Sequence, residues 1–135
     1  GVTPKEKPRT LEIGKAEVLH GFRGGNGPKV AVFGYGNLVS MAQEAAAMLE
    51  KQGYSVAVIN ARFAKPFDTQ VLEQFAREAD AILTFEDHVL MGGFGSIVME
   101  QMQELNLYKP VLRIGWPDEF VEHGKVEILR EKHGL

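Results

Sequence analysis

Four short apolar runs alternate along this chain with segments of helical period, and that alternation leaves few folds open. The runs are Lys29–Gly34, Ser55–Asn60, Ala81–Phe85 and Val111–Ile114. They are nearly continuous stretches of aliphatic residues, the pattern of strands buried on both faces. After the first run, Leu38, Met41, Ala42, Ala45, Met48 and Leu49 fall on one helical stripe, with Gln43, Glu44, Glu50 and Lys51 largely off it. Gly53 is placed to end that helix as a C-terminal cap. A second helix carries Val71, Leu72, Phe75, Ala76 and Ala79 inward. Asp68 stands where its cap belongs, and Phe67 where a ring can fold back on Leu72. A third spans Ser96 to Leu105 with Val98, Met102 and Leu105 inward, after a loop from Glu86 to Gly95. A last short helix is expected over about Lys125 to Lys132, with Gly134 beyond it.

Strands alternating with helices of about ten residues imply right-handed crossovers and a largely parallel sheet covered on both faces. Ahead of them, Ala16–His20 alternates weakly and precedes Gly21 and a Gly24-Gly25-Asn26-Gly27 turn. That tight connection predicts an antiparallel edge strand paired with the strand at Lys29. The fold class is therefore α/β: a three-layer α/β/α sandwich with a mostly parallel five-stranded sheet and one antiparallel edge strand.

A chain of 135 residues fits one domain. At this size roughly two-thirds of the unfolded chain's surface is buried on folding. No cysteine is present, so no disulfide is available and cytoplasm is the default compartment. The net charge is −3 and the basic residues are scattered, which speaks against a nucleic-acid surface. No apolar run approaches the roughly 20 residues that cross a bilayer, so no membrane role is expected. The opening Gly1–Pro8 has two prolines among charges and no apolar stretch, and it reads as a linker. Residues 1–12 are accordingly expected to lead from a preceding domain, and 13–135 to form this one.

In open α/β sheets ligands bind beyond the carboxyl ends of the strands, where four segments fall. Gly34-Tyr35-Gly36-Asn37 reads either as a phosphate cradle at a helix N-terminus or as a tight strand-to-helix turn. The dinucleotide fingerprint fails, because Val39 replaces its third glycine and Asn60 its ribose-binding acid. In Arg62-Phe63-Ala64-Lys65-Pro66-Phe67-Asp68 the proline stiffens the loop. Arg62 and Lys65 there suit an anion, Asp68, or an acid on a partner domain. Glu86-Asp87-His88 invites a metal or a general base, yet successive side chains at a strand exit diverge and no second histidine is at hand. Gly92, Gly93 and Gly95 allow close approach of another chain. Trp116 and Phe120, in the Gly115–Gly124 loop, suit a protein contact or simply cover the sheet end. The chain contains no Gly-x-Ser-x-Gly elbow and no Walker loop. Its histidines, at 20, 88, 123 and 133, are scattered.

Taken in order, the Arg62–Asp68 segment, Glu86 with Gly92-Gly93-Phe94-Gly95, Pro117-Asp118-Glu119-Phe120, and His123-Gly124 form a pattern. Together with Ile13-Gly14-Lys15, it resembles the C-terminal domain of the 1-deoxy-D-xylulose-5-phosphate synthase family, within the transketolase superfamily. Trp116 departs from the aliphatic residue expected before the Pro-Asp pair, and Lys125 from a small capping residue. The resemblance implies a parent transferase that uses thiamine diphosphate and Mg²⁺. It would decarboxylate pyruvate and join the two-carbon remnant to glyceraldehyde 3-phosphate, for isoprenoid, thiamine and pyridoxal synthesis. In that family the cofactor lies between the first two domains, whose Gly-Asp-Gly motif and activating glutamate this chain lacks. The resemblance therefore carries over no catalytic, cofactor-binding or metal residue, and implies a fragment inactive alone. Its partners would be the preceding domains of the same polypeptide and, in the parent, a second copy. Candidate inter-domain or dimer contacts are Arg62, Lys65, Asp68, Glu86, His88, Gly92, Gly93, Gly95, Trp116, Asp118, Phe120 and His123. Two other readings stay open: the equivalent domain of a transketolase or 2-oxo-acid dehydrogenase β-subunit, and a stand-alone small-molecule- or nucleotide-binding α/β module that uses the Gly34-Tyr35-Gly36 turn.

Overall fold

The computed structural model describes residues 13–62, 67–87 and 93–116. The elements run β1 (Glu17–Gly24), β2 (Lys29–Gly34), a short 3₁₀ turn (Gly36–Leu38), α1 (Val39–Lys51), β3 (Ser55–Asn60), α2 (Thr69–Glu78), β4 (Ala81–Asp87), α3 (Phe94–Glu104) and β5 (Val111–Trp116). The expected linker 1–12, Lys65 and its neighbours at 63–66, residues 88–92 and the final helix within 117–135 lie outside the described residues.

The five strands lie in the order β1-β3-β2-β4-β5. β2 pairs in parallel with β3 on one side and β4 on the other, and β4 pairs in parallel with β5. β1 is the antiparallel edge, as expected, but its neighbour is β3 and not β2. The cause is that both edges of β2 are taken by parallel ladders, so β1 must reach the outer side of β3. The glycine turn carries the chain across. Gly25 N–H donates to the Tyr54 carbonyl at 2.9 Å and Gly27 N–H to the Gly53 carbonyl at 2.8 Å, laying the turn over the start of β3. β1 shifts register between Val18 and His20 and again between His20 and Arg23. Such irregularities blunt an exposed edge against further pairing.

Alternation along the strands divides the core. Val30, Val32, Val56, Val58, Leu83, Phe85 and Ile114 face α1, packing with Leu38, Ala42, Ala45, Ala46 and Leu49. Ala31, Phe33, Ala57, Ile59 and Ile82 face α2 and α3, packing with Leu72, Phe75, Ala76, Phe94, Val98 and Met102. These are the three layers. The α1 stripe differs in one place from its periodicity: Met48 is 40% exposed and Ala46 is buried instead. The small Ala42, Ala45 and Ala46 let that helix sit close on the valines.

α1 ends in a Schellman motif. Tyr54 N–H donates to the Leu49 carbonyl and Gly53 N–H to the Glu50 carbonyl, with Gly53 at φ +97°. β4, β5 and α3 each extend two residues further toward the carboxyl end of the sheet than their apolar pattern indicates. Glu86 and Asp87 therefore belong to β4, the backbone of Gly115 and Trp116 to β5, and Phe94 and Gly95 to α3. Among the described residues no helix is long and apolar enough to cross a membrane.

Candidate functional site

β1 is antiparallel, so its first residue Glu17 pairs with Asn60 at the carboxyl end of β3. Arg62, Asp68, Glu86, Gly93, Gly95 and the backbone of Trp116 gather at that same end, where α/β folds place ligand sites. Lys65, His88, Gly92, Asp118, Phe120 and His123 lie outside the described residues.

The connections from β2 and β4, neighbouring strands, leave on opposite faces of the sheet, which opens a crevice between their ends. Aromatic rings converge there. The Tyr35 ring lies 5.0 Å and the Phe67 ring 6.0 Å from that of Phe94, itself 1% exposed. Tyr35 N–H is spent on the Phe85 carbonyl, Leu38 N–H on the Tyr35 carbonyl, and the Gly34 carbonyl accepts from Ala61 N–H. The Gly34–Asn37 segment is thus built as a tight strand-to-helix turn, with the Tyr35 amide and that of the next residue, Leu38, already engaged.

The charged candidates are occupied from within. Arg62 sits in the left-handed region at φ +61°, its N–H donating to Asn60 Oδ1 at 3.1 Å. Its guanidinium pairs with Glu17 at 3.3 Å, on β1. Asp68 is 8% exposed and uses both carboxylate oxygens. Oδ1 accepts from Val71 N–H at 3.2 Å, the expected cap of α2, and Oδ2 accepts from Ala16 N–H at 2.8 Å. Phe67 packs against the core that contains Leu72, as its capping position predicts.

Glu86 is 2% exposed. One carboxylate oxygen accepts the N–H of Gly95 in the first turn of α3, where the helix dipole favours an anion. The other pairs with Arg113 Nη2 at 3.0 Å. Arg113 lies across Gly95 so closely that a Cβ there would come within 2.3 Å of its Nε. A side chain at Gly95 would therefore have to displace Arg113, and Glu86 already fills the anion position at this helix start. Neither Glu17 nor Arg113 was among the sequence candidates. A signal existed for Arg113: a charge in the middle of the apolar run Val111–Ile114 calls for a buried counter-charge. Arg113→Met keeps the stem over Gly95 and removes the cation. Losing one partner of a buried pair costs about 3 to 5 kcal/mol, and Arg113 is partly exposed, so a loss near about 3 kcal/mol is expected in urea unfolding.

Among the described residues no group of three or more His, Cys, Asp or Glu lies together to hold a metal. Away from this end, Met99, Met102, Leu107, Tyr108, Pro110 and Val111 help to line an open, mostly apolar groove of about 450 Å³. It lies at the opposite end of the sheet, beside the start of β5.

Comparison with known proteins matches residues 14–135 to the family described as transketolase, C-terminal domain. Over all 135 residues the chain is 53% identical to the 1-deoxy-D-xylulose-5-phosphate synthase of Methylacidiphilum infernorum, covering 21% of that protein. It is 51% identical to the synthase of Acidobacterium capsulatum, with the same coverage of 21%. The chain thus spans about a fifth of the length of these relatives. A solved split-gene transketolase, described as an inactive β4 tetramer, superposes with a TM-score of 0.69 at 33% identity, covering 100% of this chain and 43% of that one.

Proposed function

The chain belongs to the transketolase C-terminal domain family, and from that premise we propose that it is the C-terminal assembly and docking domain of a 1-deoxy-D-xylulose-5-phosphate synthase. The observation that carries this reading is the unbroken match to synthases, 53% and 51% identical over the whole chain. The parent would condense pyruvate with glyceraldehyde 3-phosphate and release CO₂, using thiamine diphosphate and Mg²⁺ held by its other domains. This chain would supply no group to the chemistry and would be inactive alone. The inward-turned carboxyl end supports that division. Rings converge in the crevice between β2 and β4, and Arg62, Asp68 and Glu86 hold partners within the domain.

The domain, residues 13–135 after a linker at 1–12 in this reading, would then pack on the preceding part of the polypeptide. A homodimeric parent fits the same picture, and the split-gene transketolase that shares this domain is itself described as a tetramer. The test is an assay of the longer polypeptide with labelled pyruvate. CO₂ release that requires both glyceraldehyde 3-phosphate and thiamine diphosphate supports the synthase. Transfer from a ketose phosphate without CO₂ release would make the parent a transketolase, and CO₂ release coupled to acyl transfer a 2-oxo-acid dehydrogenase.

A further inference from the structure

Two contacts tie down the stretch just before and at the start of β1. Ala16 N–H reaches Asp68 Oδ2 across 52 positions of sequence, and Glu17 reaches Arg62. Capping α2 explains only half of Asp68. A cap needs one side-chain oxygen, and serine or asparagine serves as well. The second oxygen, held in a residue 8% exposed, goes to an amide that precedes β1 and has no part in the β1–β3 ladder. Arg62 is similar. A non-glycine residue at φ +61° is strained unless its surroundings hold it, and what holds it is Asn60 Oδ1 on its N–H and Glu17 on its guanidinium. Both devices converge on the same two residues, Ala16 and Glu17.

We infer that Asn60, Arg62 and Asp68 form a clasp that fixes the point and direction at which the polypeptide preceding Ala16 joins this domain, and so sets how the domain is oriented toward that preceding part. The inference rests on the reading above that a further part of the polypeptide precedes. It assigns Arg62 and Asp68 a positioning role through the incoming chain, in place of direct contact with another domain. Charge-assisted hydrogen bonds to a shielded carboxylate suit that role, because they are directional as well as strong.

Two variants of the longer polypeptide test it. Asp68→Ser keeps an oxygen for the α2 cap but is too short to bridge to Ala16, and Arg62→Gln removes the ion pair without touching a helix cap. Hydrogen–deuterium exchange is followed in residues 13–18 and in α2. Spin-label distances are measured between Tyr108→Cys, 77% exposed on this domain, and a label in the preceding part. For each variant we expect exchange in 13–18 to rise about tenfold or more while α2 stays protected, and the distance distribution to broaden. Unchanged exchange in 13–18 would overturn the clasp, and so would an unbroadened distance distribution. Neither readout depends on which reaction the parent catalyses, so failure of the clasp and failure of the synthase reading are seen separately.

Discussion

Phe94→Ala is expected to cost the domain about 3 to 5 kcal/mol, the usual range for removing a buried phenylalanine. Phe94 is 1% exposed and opens α3, where its ring meets Tyr35 after β2 and Phe67 before α2. Three separate connections therefore lose one common anchor. The cavity would open in the crevice between β2 and β4, beside the hydrogen-bonded turn that follows β2. Urea unfolding of wild type and variant reads the change directly. Tyr108→Ala serves as the control: Tyr108 is 77% exposed, and a change within about 0.5 kcal/mol is expected. A Phe94→Ala loss below about 1 kcal/mol would mean that something other than these rings holds this end of the sheet.

Gly25→Ala is expected to be comparably damaging for a different reason. A Cβ on Gly25 would stand 2.0 Å from the Gly53 carbonyl oxygen and 2.6 Å from its Cα. Those neighbours are backbone, fixed by the Schellman motif and by the start of β3, so no side chain can swing aside. Overpacking a fixed site usually costs about 1 to 3 kcal/mol. Here the displacement would also strain the hydrogen bonds from Gly25 and Gly27 to Tyr54 and Gly53, so a loss of at least about 3 kcal/mol is expected. Gly21→Ala, with no atom within 4 Å of the added methyl, should stay within about 0.5 kcal/mol. Thermal or urea melts of the pair, side by side, separate close approach from loss of glycine as such.

The same turn shows where the sequence stops being legible. Its glycines were visible, and a short connection between two extended segments suggests a hairpin. The glycines serve another purpose, letting the chain cross the α1–β3 junction so that β1 reaches the far side of β3. Pairing partners depend on which sheet edges remain free, and no local pattern encodes that. The start of α2 and the end of α1 are legible because their chemistry is local: Asp68 lies three residues from the amide it caps, and Gly53 sits in the bonds that close α1; the start of α3, with no capping side chain, is not. Strand ends are less legible: the acidic pair Glu86-Asp87 and the glycine at 115 read as loop, while the β4–β5 ladder continues through them.

At the candidate site, Arg62, Asp68, Glu86 and Gly95 stand out in the sequence by their positions after the apolar runs. Their partners do not. Arg113 lies 27 positions along the chain from Glu86 and Ala16 52 from Asp68, while Glu17, back on β1, pairs with Arg62. A charged residue on a loop at a sheet end looks equally suited to a ligand, a partner domain or a neighbour in the same fold. Only the geometry separates these, and for Arg62, Asp68 and Glu86 it supplies an internal partner.

The most direct test of the central claim is an amide-shift titration of this domain with Mg²⁺ and thiamine diphosphate, followed by common nucleotides. If the domain is an assembly part whose charged groups at the carboxyl end are paired from within, the amides of Gly34–Asn37 and of Glu86–Gly95 stay in place at millimolar ligand. Saturable shifts centred on Gly34–Asn37 would contradict that account and identify the turn as a binding site in its own right.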